Sequence, residues 1–365
     1  MATFETFPPR RPDLSLAPRL RDDEAMRAPT TPRGRRDTSP ADLRRTAFAA
    51  AYRMLGSVTE AEDVAQDAML RIAPDGTLPP DVVNPEAFTT TVATRIALDL
   101  LRSARVRRET YVGDWLPEPI VGTPVASGSA PADGSAHAEL SDDLSTAFLV
   151  LLETLTPSER AAFLLHDVLG YPHRQAASVI GTTELAARQL ASRARRRVAE
   201  RRGDVVAGTR RGPARRPDPR AAELVSRFIA ATQEGDLEAL LELLADDVQF
   251  VGDGGGKVPR GMTISKPVSG RQAVARLLAG FRNRFVHDGT LPVHFEPALV
   301  NGLPGMVTYA DEAHGGGLLG AYAFETSGDR IVAVRGVVNP EKLRHLAPLA
   351  DLQTLAALLR RPPRA

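Results

Sequence analysis

The stretch Tyr171 to Arg202, YPHRQAASVIGTTELAARQLASRARRRVAERR, constrains this chain more than any other. It reads as a helix, a turn at Gly181 and a second helix ending in a dense arginine run. Ala177 falls where two helices must approach closely, and Gly181 where the turn needs a backbone free of Cβ strain. Ile180, Leu190, Ala194 and Val198 fall where apolar contacts would hold the pair together. Glu184, Arg188, Gln189, Ser192 and Arg193 share one face of the second helix, because positions one and four apart stay on one side of a 3.6-residue repeat. Arginine and glutamine offer paired hydrogen bonds to guanine and adenine edges, whereas Arg195, Arg196, Arg197, Arg201 and Arg202 suit phosphates. An arginine run alone more often marks a solvated helix. What precedes this one argues for a folded unit. Thr156-Pro157-Ser158-Glu159 supplies a hydroxyl cap, a proline at the first helical position and a glutamate at the third, followed by AAFLL. A DNA-binding helical domain is expected over 140–202.

The length of 365 residues admits two or three domains, and a net charge of +1 hides an asymmetry. Arginine crowds the first two hundred residues, and acids gain weight after Asp218. Cysteine is absent, which excludes a disulfide framework, a thiolate zinc site and a cysteine nucleophile. No apolar run approaches the roughly 20 residues of a membrane span and no signal peptide is legible, so a cytoplasmic chain without a membrane partner is expected.

Residues 1–40 carry eight arginines and seven prolines and read as a disordered extension. A helical domain follows over 41–119, with EAEDVAQDAMLRI in one helix and AFTTTVATRIALDLLRSARVRR in a longer one. Residues 120–139 and 203–219 read as flexible linkers, the first joining the two helical domains loosely. Over 220–345 the texture changes: a helix at 221–244 and another at 269–284, with strands near 248–251, 293–296, 305–309, 318–325 and 330–338. This is α+β, with a curved sheet wrapping a helix. The leucines at 346, 349, 352, 355 and 359 read as a helical tail over 346–365.

EAEDVAQDAMLRI, LTPSERAAFLL and the helix-turn-helix together resemble regions 2 and 4 of extracytoplasmic-function (ECF) sigma factors. YVGDWLPEP (111–119), DGGGK (253–257) and NPEKL (339–343) resemble the ECF subgroup that carries a fused SnoaL-like domain. The resemblance implies a multidomain fold of two all-α sigma domains plus a C-terminal α+β SnoaL-like cone. It implies an initiation factor, not an enzyme, that needs no cofactor. Its partners would be core RNA polymerase, through the β′ clamp helices and β flap, and promoter DNA. Its own C-terminal domain would be an intramolecular regulator.

Carried onto this chain, the resemblance assigns minus-35 recognition to Glu184, Arg188, Gln189, Ser192, Arg193, Arg195 and Arg196. It assigns minus-10 recognition to Thr94, Arg95, Asp99, Arg102 and Arg105, and polymerase docking to Glu62, Asp63, Gln66 and Asp67. The interdomain regulatory set would be Trp115, Leu116, Pro117, Asp253, Gly254, Gly255, Gly256, Lys257, Asn339 and Pro340. DGGGK is no phosphate loop, since a Walker motif needs Ser or Thr after the lysine and here Val258 follows. The cone offers room for a small-molecule ligand. Should it be an enzyme, Asp253, His287, His294 and His314 are the acid-base candidates.

Overall fold

Ser39 starts the first helix by accepting a hydrogen bond from the Asp42 amide, while the Asp42 carboxylate accepts one from the Ser39 amide. That reciprocal pairing satisfies two donors that a helix start leaves open. The computed structural model describes residues 39–74, 77–79, 82–109, 111–122, 145–205, 219–286 and 292–359. The arginine-rich extension, most of both expected linkers and His287 lie outside the described residues.

Helices α1 (Pro40–Leu55), α2 (Val58–Ile72) and α3 (Pro85–Glu109) form the first helical unit. The second is built from α4 (Thr146–Glu153), α5 (Pro157–Phe163), a π-turn at Leu164–Val168, α6 (His173–Ile180) and α7 (Glu184–Val205). Thr156 and Glu159 make the expected capping box, and Gly181 closes α6 at φ 77. The loose joining expected of the two units is not what the structure shows. One continuous apolar core runs from Leu43, Tyr52 and Leu98 through Leu149, Leu165 and Ile180. Buried Arg160 of α5 donates to the Met54 carbonyl of α1 (2.7 Å), and the Tyr171 hydroxyl donates to the Ala87 carbonyl of α3 (3.2 Å). Linker composition says nothing about the faces it connects, and here those faces are apolar and complementary.

The C-terminal unit comprises α8 (Pro219–Glu234), α9 (Leu237–Leu243), β2 (Leu244–Asp253), β3 (Val268–Ser269), α10 (Arg271–Phe285), β4 (Val293–Val300), β5 (Leu303–Ala310), β6 (Leu318–Ser327), β7 (Arg330–Val337), α11 (Pro340–Leu343) and α12 (Leu352–Leu359). With a short strand β1 (Val121–Gly122) at its edge, the sheet order is β1-β4-β5-β6-β7-β2-β3, with β2 parallel to β7 and the other neighbours antiparallel. Its first strand, β1, comes from the segment expected to be linker and pairs with Val300 and Leu299.

Two further expectations are corrected. The single helix over 221–244 is two, because Gly235 turns at φ 74 and Asp236 caps α9 through the Ala239 amide. The tail is helical only from Leu352: the Leu318 amide donates to the Pro348 carbonyl (2.8 Å) and the Ala350 amide to the Leu318 carbonyl (3.0 Å), which lays that segment along the sheet.

Side chains alternate across the sheet. Phe250, Met306, Phe324 and Val334 face α8, α9 and α10. Val251, Val307, Ala321 and Val337 face the opposite way, into a core that includes Leu116 from the first unit. The C-terminal unit therefore has one concave face closed by its own helices and one outer face that holds the rest of the chain.

Candidate nucleic-acid interface and interdomain anchor

Along α7 the buried positions are Ala187, Ala191 and Ala194, small enough for the helix to lie close on α5 and α6. Glu184, Arg188, Gln189, Ser192, Arg193, Arg195 and Arg196 are all exposed. Arg188 pairs with Glu184 one turn away (2.7 Å), and Arg196 lies 3.8 Å from Glu200. Arg193 (3.3 Å) and Arg197 (2.6 Å) both reach Glu159, whose side chain is buried, and Arg195 lies 3.5 Å from Asp167. The basic face is thus divided. Arg188, Gln189, Ser192 and Arg196 are open outward, while Arg193 and Arg197 brace the capped start of α5. Burial alone would raise the Glu159 carboxyl, but hydrogen bonds from Thr156 and the Arg197 and Arg193 guanidiniums hold it below its ordinary value.

The minus-10 set does not form one open face. Thr94 is 2% exposed and belongs to the core of α3. Arg95 donates to the Ser178 carbonyl (3.0 Å), and Arg102 to the Ile180 carbonyl (3.2 Å) and Ser158 Oγ (3.4 Å). Ser178 and Ile180 end α6, so both cations sit at the negative end of that helix. Asp99 is exposed beside Arg102, and the side chain of Arg105 lies outside the described residues. On α2, Asp63, Gln66 and Asp67 are exposed, and half-buried Glu62 pairs with Arg44 (2.8 Å).

The three interdomain motifs converge. Asp253 ends β2 on the outer face with no solvent exposure. Its carboxylate accepts from the Tyr111 hydroxyl, from the Leu116 amide (2.8 Å) and from Lys342 Nζ (2.7 Å), while Lys342 also donates to the Leu116 carbonyl. Three donors and one opposing charge offset the desolvation of a buried carboxylate. Burial pulls the Lys342 ammonium below its ordinary pKa, against the opposing influence of Asp253. Neighbouring Asp114 is raised, first by burial and then by the Asp253 charge.

Trp115 lies with its ring centroid 4.2 Å from Lys342 Nζ and covers Gly56, where a Cβ would fall 2.5 Å from the indole. Leu116 and Pro117 are buried, and the Glu118 carboxylate caps α2 through the Val58 (2.7 Å) and Thr59 (3.2 Å) amides. Asn339 caps α11, with Pro340 at its first position, and donates to the Tyr111 hydroxyl (2.9 Å). Gly255, at φ 57, leaves no room for a Cβ, which would fall 2.2 Å from the Asn339 amide nitrogen. Gly256 abuts Val112, Gly254 abuts Thr263, and Lys257 pairs with Glu341 (3.3 Å).

Sequence reasoning missed Asn301. This residue is 2% exposed at φ 48, in the two-residue turn Asn301-Gly302 between β4 and β5. Its side chain accepts from the Ile120 amide (2.7 Å) and the Tyr52 hydroxyl (3.3 Å) and donates to Thr146 Oγ1 (3.1 Å). One amide therefore joins the first helical unit, the connecting segment and the second helical unit. The Asn-Gly pair was legible as a hairpin turn; its buried partners were not.

Of the acid-base candidates, Asp253 is consumed by the anchor, and half-exposed His294 lies 3.2 Å from Asp311 and 3.6 Å from Glu296. His314 lies in a short helical turn before β6 and does not line the cavity on the concave face.

Helical units in this order, with an outward basic recognition helix, define a sigma-70-type promoter-recognition protein. Family models match as Sigma-70 region 2 over residues 41–107, Sigma-70 region 4 over 145–198, and a SnoaL-like domain over 225–337. ECF RNA polymerase sigma factor SigJ of Mycobacterium tuberculosis is 39% identical over 310 residues, spanning 82% of this chain and 90% of that protein. The probable ECF RNA polymerase sigma factor SigI of the same species is 36% identical over 199 residues, 53% of this chain and 61% of that one. The crystal structure of the SigJ protein superposes with a TM-score of 0.63 at 35% identity, covering 83% of this chain and 96% of that one. The chain belongs to the ECF RNA polymerase sigma factors, and its C-terminal unit is a SnoaL-like domain.

Proposed function

We propose that the described arrangement is a closed state of the sigma factor, held shut by its SnoaL-like domain. The observation that carries this reading is the use of Arg95 and Arg102. In ECF factors their helix reads the minus-10 element, yet here both guanidiniums bond to the end of α6 within the minus-35 unit. Elements about 25 base pairs apart span roughly 85 Å at about 3.4 Å per pair. Two units that share one apolar core do not reach both at once, so promoter engagement requires them to part. The Asp253–Tyr111–Lys342 cluster and the Asn301 side chain oppose that parting, because both tie the C-terminal sheet to the helical units.

In the open state Arg188, Gln189, Ser192 and Arg196 read the minus-35 element, with Glu184, Arg193 and Arg195 at its margin. Freed Arg95, Asp99 and Arg102, with Arg105, meet the minus-10 strand. Thr94 supports their helix from inside. Glu62, Asp63, Gln66 and Asp67 dock on the polymerase clamp, as the outward placement of the last three allows. The factor works in the cytoplasm, where polymerase and promoters are. Its SnoaL-like domain acts by binding, a reading that its largely apolar cavity lining supports.

The test compares the full chain with Asp253→Ala and Asn301→Ala in run-off transcription with sigma-free core polymerase. Opening predicts more specific transcript from either variant at limiting factor. Equal or lower output from cooperatively folded variants would sink the closed-state reading.

A further inference from the structure

The concave face of the SnoaL-like domain holds a partly open cavity of about 130 Å³. Its wall is apolar, with Phe228, Phe250, Phe281, Phe295, Met306 and Leu278 supplying most of it. A cavity of roughly 150 Å³ with such a lining stays dry and accepts benzene. The Thr232 and Thr263 hydroxyls on this wall are donated to the Phe228 and Ile264 carbonyls, and two further hydroxyls interrupt it, those of Thr308 and Tyr322. Thr308 is 6% exposed, and its hydroxyl has no hydrogen-bond partner among the described residues. Tyr322 stands on the adjoining strand, its ring fitted over Gly336, where a Cβ would fall 2.4 Å away. A buried hydroxyl without a partner is destabilising, and a turn about the Thr308 Cα–Cβ bond would offer it to an oxygen entering the cavity. Among the described residues Arg282 is the one charged group on the lining, and its Nε–H is already donated to the Gln233 carbonyl (2.9 Å).

The cavity shares backbone with the anchor. Gly252 forms part of the wall, and the next residue on β2 is Asp253, on the opposite face. Val258, Met262, Thr263 and Ile264 roof the cavity. A Cβ on Gly254 would lie 2.8 Å from Thr263, and one on Gly252 would lie 2.9 Å from Ile264. The same loop carries Gly255 and Gly256 against Tyr111, Asn339 and Val112. Packing this tight transmits displacement rather than absorbing it.

We propose that this cavity binds an uncharged lipophile about one ring in size that bears one hydroxyl or carbonyl oxygen, and that its entry loosens the Asp253 anchor through the 254–267 loop. The first half stands on the cavity alone, and the second rests on the closed-state reading.

The probes are 4-ethylphenol, ethylbenzene and 4-ethylbenzoate, titrated into the full chain by calorimetry. The single tryptophan makes the indole N–H resonance of Trp115 a direct reporter of the anchor, and Asp253→Asn gives its loosened position. Saturable 4-ethylphenol binding at one site is expected, about fivefold tighter than ethylbenzene, as one net hydrogen bond supplies. Thr308→Val keeps the side-chain shape, so it should abolish that preference while retaining ethylbenzene. The indole resonance should move toward the Asp253→Asn position with the calorimetric midpoint. Absence of saturable binding, tighter binding of 4-ethylbenzoate, or a preference unchanged in Thr308→Val overturns the site. Binding with an unmoved indole resonance overturns the coupling. Failure of the closed-state reading shows separately, in the Asp253→Ala transcription assay.

Discussion

Asp253 is the residue on which most of the interdomain geometry turns. Its carboxylate is fully buried and is satisfied only by groups from distant parts of the chain, Tyr111, Leu116 and Lys342. Removing one partner of a buried pair strands the other charge, so Asp253→Ala should cost about 3 kcal/mol of stability in denaturant titrations of the full chain. Replacing Asp253 and Lys342 together with apolar residues should recover part of that loss. Gly255→Ala should also destabilise, since the backbone is at φ 57 and the added carbon would meet Asn339. The DGGGK, WLPEP and NPEKL strings were legible as a set through their family resemblance. Their meeting at one carboxylate was not, because residues 89 to 142 positions apart leave no periodicity to read. Asn301 makes the same point: its turn is local, while its hydrogen bonds run to Ile120, Tyr52 and Thr146.

Among the elements, α7 and α3 show how one composition serves two purposes. Arginine richness predicted basic surface on both, and α7 presents it. Arg188→Ala or Arg196→Ala should each weaken promoter binding and lower the salt slope by about one, because each releases one fewer counterion. Arg197→Ala should act differently. That side chain holds Glu159 at 2.6 Å, so its loss should lower the melting temperature more than it changes the salt slope, as calorimetry set beside binding isotherms would show. On α3, Arg95 and Arg102 face α6, and Thr94 faces the core. Helical periodicity located that element well, but which stripe meets solvent depends on what docks against it. The split of 221–244 into two helices was within reach, since Gly235-Asp236 is a stop followed by a cap.

For the whole molecule, burial of the tyrosines sets an alkaline limit. All five, Tyr52, Tyr111, Tyr171, Tyr309 and Tyr322, are raised above their ordinary value near 10 by burial first, Tyr322 to about 12. Above pH 10 the unfolded chain loses phenolic protons that the native chain keeps, so the native state binds more protons and stability falls as pH rises. Lys342, lowered by burial, opposes this with a single group. Absorbance titration should therefore show phenolate appearing together with loss of helical circular dichroism, not before it. Early phenolate in a folded chain would contradict this packing.

What the sequence determined by itself is what short-range chemistry encodes. The capping box at Thr156, the Gly181 turn, the recognition helix, the order of helical and α+β units, and the family all follow from neighbours within a few turns or from contiguous motifs. The tertiary structure alone decided that the two helical units share a core, that Val121–Gly122 joins the sheet, and that Arg95 and Arg102 are occupied. It also decided that one sheet carries a cavity on one face and the anchor on the other. Those outcomes depend on which complementary surfaces meet when apolar area is withdrawn from water, a property of the folded ensemble of faces and not of any one segment.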